Sequence, residues 1–192
     1  MQKKRVIVGI TGASGVIYGV KALEMLASLD HVEVHLIMST AAKRTLHEET
    51  DWDAEHVEAL ADVVHSFRDI GASISSGSFI TAGMLVAPCS IKTLSAIANG
   101  YDDNLIARAA DVCLKERRPT ILMVRESPFH LGHLETMAKA ARYGAIIAPP
   151  VPAFYIRPQS LDDIVEHSVG RALDLMGIEH DFVKRWQGKA QP

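Results

Sequence analysis

Four short segments of the 192-residue sequence carry residue types that hold phosphate groups and move protons. They are Gly12-Ala13-Ser14-Gly15, Ser39, Pro88-Cys89-Ser90-Ile91-Lys92-Thr93 and Arg125-Glu126. Glycine lets backbone approach an anion closely, hydroxyls donate to it, and the free N–H groups at a helix start do the same. Together the segments suit a phosphorylated ligand, but none establishes one alone. Gly12 and Gly15 complete neither a G-x-G-x-x-G fingerprint nor a P-loop ending in Gly-Lys-Ser/Thr, so a tight strand-to-helix turn fits them equally. Ser90 to Thr93 places two hydroxyls beside backbone donors, although simple N-capping by Ser90 also accounts for that segment.

A dense basic stretch runs from Arg108 to Arg118. Within it Arg108, Asp111 and Lys115 recur at helical spacing, so they share a face on which an internal ion pair can form. That face turns either to solvent or to a phosphate. Glu49 and Glu126 are candidate acid–base groups, although an isolated carboxylate also serves as surface decoration. His130 and His133 stand three apart, as two metal ligands can, but no third ligand accompanies them and no metal is expected. Cys89 follows an apolar run and reads as a packed small residue, not a nucleophile.

Placing these groups requires strands that end where helices begin. Short apolar runs alternate with helical spacing, which predicts one doubly wound α/β domain over residues 1–192, a parallel sheet flanked by helices. Strands are predicted at Val6 to Ile10, Val32 to Met38, Met84 to Ala87 (stopped by Pro88), Thr120 to Val124 and Ala145 to Ala148. Helices are predicted after Gly15, with Val16, Val20, Leu23 and Ala27 on one face, after Ser39, and over Ala54 to Val64. Further helices are expected from Ser90 to Gly100, from Asn104 to Glu116, from Gly132 to Tyr143 and after Ser160 to Met176. Ser73 to Ser78 reads as a polar loop. In such a sheet ligands collect at the carboxyl ends of the strands, which is where all four segments fall.

Composition narrows the class. Hydrophobic residues make up 48 % and charged residues 22 %, with a formal net charge of -3. That balance gives no electrostatic reason to expect nucleic acid or an anionic membrane as a partner. The two cysteines suit a reducing cytoplasm. The basic opening Met1 to Arg5 leads only into a short apolar run ended by Gly9, so neither a signal peptide nor a membrane span is expected.

Taken in order, the segments resemble the UbiX-type flavin prenyltransferases. The resemblance rests on Thr11-Gly12-Ala13-Ser14-Gly15, Pro88 to Leu94, Arg108-Ala109-Ala110-Asp111, Leu114 to Pro119, Arg125-Glu126-Ser127-Pro128, Pro152-Ala153-Phe154-Tyr155 and Arg185-Trp186. It covers nearly the whole chain. It implies a flavodoxin-like, Rossmann-type domain in a homo-oligomer, typically a dodecamer, with FMN at the carboxyl edge of the sheet near subunit interfaces. The implied reaction joins the dimethylallyl group of dimethylallyl phosphate to N5 and then C6 of reduced FMN without a metal. Prenylated FMN then passes to a UbiD-type decarboxylase.

Residue by residue, the resemblance assigns Gly12, Ala13, Ser14, Ser39, Ser90, Ile91, Lys92, Thr93 and Arg125 to FMN. It assigns Tyr155 and Arg171 to dimethylallyl phosphate, with Arg108, Lys115 and Glu126 around that phosphate and Glu49 as an acidic site residue. Ser14, Glu49, Lys115 and Glu126 are the implied catalytic groups. A flavin-dependent cysteine decarboxylase of the phosphopantothenoylcysteine type shares the fold and FMN, but Lys92 stands where its substrate-holding Asn would fall. A flavin electron carrier would not need Lys115, Glu126, Tyr155 and Arg171 to converge.

Overall fold

Every sheet pairing in the computed structural model, which describes residues 3–186 and 188, is parallel. The strands are β1 (Lys4–Ile10), β2 (Val32–Met38), β3 (Val63–His65), β4 (Gly83–Cys89), β5 (Thr120–Val124) and β6 (Ile146–Ile147). They lie in the order β3-β2-β1-β4-β5-β6. The helices are α1 (Ile17–Ala27), α2 (Thr40–Glu49), α3 (Ala54–Glu58), α4 (Ile91–Asn99), α5 (Leu105–Lys115), α6 (Leu131–Arg142) and α7 (Leu161–Leu175). This is the doubly wound, Rossmann-type arrangement expected from the sequence.

Strand periodicity sorts the side chains onto two faces. Val6, Val8 and Ile10 point into one core with Val20 and Leu23 of α1, Leu46 of α2 and Val169 and Leu173 of α7. Ile7, Ile37, Met84 and Val86 point into the other, with Leu94 of α4, Ala109 and Cys113 of α5 and Ala140 of α6. Both faces of the sheet are therefore covered, which is why the central strands read as nearly continuous apolar runs.

Three expectations are corrected. The helix predicted over Ala54 to Val64 stops at Glu58, and Val63–His65 instead pairs with His35 to Ile37 as the edge strand. The helical spacing was real only in part: Val57, Leu60 and Ala61 do pack on the core, and the β-branched pair beyond them joins the sheet. Pro88 does not stop its strand, because the β4–β5 register shifts between Val86 and Cys89, an irregularity that accommodates a residue without an N–H. Ala27 is exposed and Leu26 takes the core position. Among the described residues no helix is long and apolar enough to cross a membrane.

The strand order reverses direction between β1 and β4, the point where an open parallel sheet leaves a crevice at its carboxyl edge.

Candidate functional site

That crevice is closed at its base by Thr11. Its buried hydroxyl donates to the Pro88 carbonyl at 2.7 Å and accepts from the Ser90 N–H at 2.9 Å, tying the ends of β1 and β4 together. Ser39 caps α2, its hydroxyl accepting from the Ala42 N–H at 3.0 Å, and Ser90 caps α4 through the Thr93 N–H at 3.3 Å. The Ser90 hydroxyl also donates to Thr93 Oγ1 at 3.1 Å. Gly12 is required by packing, since a Cβ there would come within 2.4 Å of the Ala41 Cβ at the start of α2. Three helix starts thus open at the ends of β1, β2 and β4.

At the α1 start a protein carboxylate is already in place. Glu49, the last residue of α2, accepts from the Gly15 N–H at 2.8 Å and from the Val16 N–H at 3.3 Å. Partial burial pushes its carboxyl up, but hydrogen bonds from Ser14, Gly15 and Val16 and the charge of Arg125 outweigh this and hold it below the usual range. Glu49 is therefore an ionised acceptor at neutral pH, in reach of the Ser14 hydroxyl. The Arg125 side chain is exposed directly after β5, while its N–H donates to the Cys89 carbonyl at 3.1 Å. Glu126, half-buried, accepts from the Ser127 N–H at 2.9 Å.

A second group gathers around α7. Tyr155 sits on a 3-10 turn (Phe154–Ile156) that follows the proline run, and Arg171 sits on α7. Both line a cavity of about 380 Å³ closed by Val183 to Trp186, and both also line a neighbouring one of about 260 Å³. The Trp186 ring stands edge-on to Tyr155 with centroids 6.0 Å apart. Arg171 is held by Asp174, which also pairs with Arg185 at 2.8 Å. A hydroxyl and a guanidinium on one cavity wall suit a phosphate.

Arg108 and Lys115 stand elsewhere. Arg108 is bound to Asp102 at 3.3 Å and Asp111 at 3.2 Å, confirming the internal ion pair, and reaches the Ser75 carbonyl. Lys115 pairs with Glu116 beside Gly77. It lies before β5 whereas Arg125 lies after it, so a strand length of about 17 Å separates them. Helix α5 covers one face of the sheet and α7 the other. One copy of the chain does not bring Lys115 to Tyr155 and Arg171.

Three residues that position the site were not singled out from sequence, Tyr18, His167 and Asp174, and Thr11 was read only as part of its turn. Burial pushes the Tyr18 phenol up, opposed by the charge of Arg125, and the ring stands beside the glycine turn, where a Cβ on Gly15 would come within 3.1 Å of it. Burial pushes the Cys89 thiol up to about 12, in keeping with a packed residue. The cradle's donor set is one that fits FMN: helix-start N–H groups, the Thr93 hydroxyl and the exposed Arg125 guanidinium for the phosphate, with the Ser14 hydroxyl and a glycine turn where a flat ring must approach backbone.

Residues 1–173 match the family described as Flavoprotein. The chain is 60 % identical over 187 residues to the flavin prenyltransferase UbiX of Escherichia coli (strain K12), covering 96 % of this chain and 99 % of that protein. It superposes with a TM-score of 0.95 and 48 % identity on AnUbiX, solved in complex with FMN and dimethylallyl pyrophosphate, covering 98 % and 100 % of the two chains. A dodecameric FMN-dependent UbiX-like decarboxylase from Escherichia coli O157:H7 gives a TM-score of 0.92 at 51 % identity, covering 96 % and 100 %.

Proposed function

The chain belongs to the Flavoprotein family and, within it, to the UbiX-type flavin prenyltransferases, and from that premise we propose how its residues carry out the reaction. The enzyme joins the dimethylallyl group of dimethylallyl phosphate to N5 and C6 of reduced FMN and supplies prenylated FMN to a UbiD-type decarboxylase. Bound FMN supplies the electron-rich N5 and C6 positions. The protein supplies orientation, charge and proton acceptors.

The capped starts of α2 and α4 and Arg125 hold the flavin phosphate and turn the ring system toward the Tyr155 cavity. Gly12, Ala13, Ile91, Lys92 and Thr93 complete that cradle. Departure of phosphate from an allylic carbon concentrates negative charge on the leaving group. The Arg171 guanidinium and Tyr155 hydroxyl stabilise it, and such preorganised groups supply much of a typical rate enhancement. Ser14, hydrogen-bonded to the ionised Glu49, forms a proton-accepting pair for the proton lost at N5. Ring closure would add C6–H across the prenyl double bond: the released phosphate would give a proton to prenyl C2, and Glu126, beside Arg125, would accept the proton that C6 gives up.

Lys115 and Arg108 act on the same phosphate from a second copy of the chain. Their place on the opposite face of the sheet supports this, as does the run of exposed apolar side chains from Phe129 through Leu134 to Phe154. A homododecamer is the assembly proposed. The chain works as one domain over residues 1–192 and resides in the cytoplasm, in keeping with its two free cysteines, both buried.

The single observation that carries the assignment is the Tyr155–Arg171 pair on one cavity wall, an arrangement suited to a phosphate and lined by none of the residues of the FMN cradle. Anaerobic incubation with reduced FMN and dimethylallyl phosphate tests it by mass spectrometry. The flavin should gain one dimethylallyl unit. Bound FMN that stays unmodified with both the phosphate and the pyrophosphate donor contradicts the reading.

A further inference from the structure

The Tyr155 hydroxyl has one proton, and what it does with that proton decides whether Tyr155 attracts or repels a phosphate. Among the described residues its hydrogen-bond partner is His167, with Nε2 at 3.0 Å. The two rings meet edge-on, with centroids 5.5 Å apart at 81°. His167 is 7 % exposed, whereas Tyr155 is 50 % exposed at the cavity wall. His167, Arg171 and Asp174 lie at i, i+4 and i+7 on α7, so one helix face serves the whole donor side of the site.

Two arrangements of this hydrogen bond are possible. If His167 Nε2 is bare, it takes the phenolic proton, and Tyr155 then presents only lone pairs to the cavity. If Nε2 carries hydrogen, it donates to the phenolic oxygen and the phenol's proton is free to point elsewhere. Only the second arrangement lets Tyr155 donate to an anion.

We infer that His167 is a positioning residue for the prenyl donor: it donates its Nε2–H to the Tyr155 oxygen and so commits the phenolic proton to a phosphate oxygen. Burial, reinforced by the charge of Arg171 and opposed by that of Asp174, holds His167 below the usual imidazole range. The ring is therefore neutral at physiological pH and has a single N–H to give. That N–H must sit on Nε2. The inference rests on the assignment of Tyr155 to the donor phosphate.

The test uses FMN-loaded, reduced enzyme with dimethylallyl phosphate as the varied substrate. His167→Leu removes the donor, His167→Gln retains an amide N–H, and Tyr155→Phe removes the phenolic proton. His167→Leu should raise KM for dimethylallyl phosphate about tenfold with FMN affinity unchanged, and His167→Gln should recover most of the loss. In the Tyr155→Phe background, His167→Leu should add less than about twofold, because the two residues act as one unit. A normal KM in His167→Leu alongside an impaired Tyr155→Phe overturns the role of His167 alone. A normal Tyr155→Phe overturns the assignment of Tyr155 and this inference with it. Should His167→Leu fail to fold, ¹⁵N spectra of histidine-labelled wild-type enzyme with donor bound decide the question. Hydrogen on Nε2 of His167 supports the inference, and a neutral ring with hydrogen on Nδ1 overturns it.

Discussion

The two halves of the proposed site are built on different principles. The cofactor half is made of backbone and caps: Thr11, Ser39 and Ser90 spend their hydroxyls on tying strand ends and helix starts together. The donor half is made of side chains on a turn and a helix face, and each functional group is held by a partner. Tyr155 leans on His167, and Arg171 on Asp174. A scaffold of strand ends can hold a cofactor without moving, whereas side chains pinned by single contacts can exchange partners when a substrate arrives and a product leaves. Substitutions in the first half should therefore cost stability and flavin affinity together. In the second they should cost donor binding and turnover and leave flavin affinity intact.

The largest expected effect belongs to Lys115, which the fold places far from both halves. Lys115→Ala should slow prenylation on the order of 10²-fold with FMN affinity intact. Because Lys115 and Arg171 lie on opposite faces of the sheet, each site should draw them from different copies. Assemblies mixed equally from Lys115→Ala and Arg171→Ala chains should then regain activity in about a quarter of their sites. Mixed assemblies as inactive as either parent would show that both residues come from one copy.

Next is Thr11→Val, which keeps the shape and removes the hydroxyl between Pro88 and Ser90. Leaving buried polar groups unpaired should cost about 1–3 kcal/mol of stability by denaturant titration, with weaker FMN binding. A stable variant with weak FMN binding would separate the two roles that the cradle is argued to combine. Ser39→Ala removes one cap and should cost about 1 kcal/mol, read the same way.

The smallest effect is pH dependence. Burial, with the charge of His35 adding to it and Asp69 opposing it, pushes His65 below the usual range, and His167 is pushed the same way. On acidification the unfolded chain binds protons that the folded chain does not. Stability contributed by these neutral rings is whole above about 6.5 and is lost as pH falls toward their lower folded values. Thermal midpoints measured between neutral pH and pH 5 should decline, and His65→Gln should flatten the slope.

The legibility of the sequence follows the same division. The cofactor half was readable because its residues come directly after apolar runs: Ser14 after β1, Ser39 after β2, Ser90 after β4, Arg125 after β5. Position in a parallel sheet then supplies the geometry. The supports of the donor half were not readable, since a single His167 or Asp174 in a helix leaves no periodic mark. The resemblance named Tyr155, Arg171 and Lys115 but could not show that Lys115 lies across the sheet from the other two. Strand β3 was missed because three residues after a helix-like run carry too little alternation to register. Pro88 misled because a register shift, which composition does not reveal, makes room for it.

The division between the halves is tested most directly by measuring FMN affinity and single-turnover prenylation on Arg171→Ala and Thr11→Val side by side. Arg171→Ala should bind FMN as the wild type does and lose turnover on the order of 10²-fold. Thr11→Val should lose FMN affinity while any flavin it retains is prenylated at near the wild-type rate. If Arg171→Ala loses FMN in proportion to its activity, or Thr11→Val binds FMN normally and fails to prenylate it, the site is not divided between these two regions.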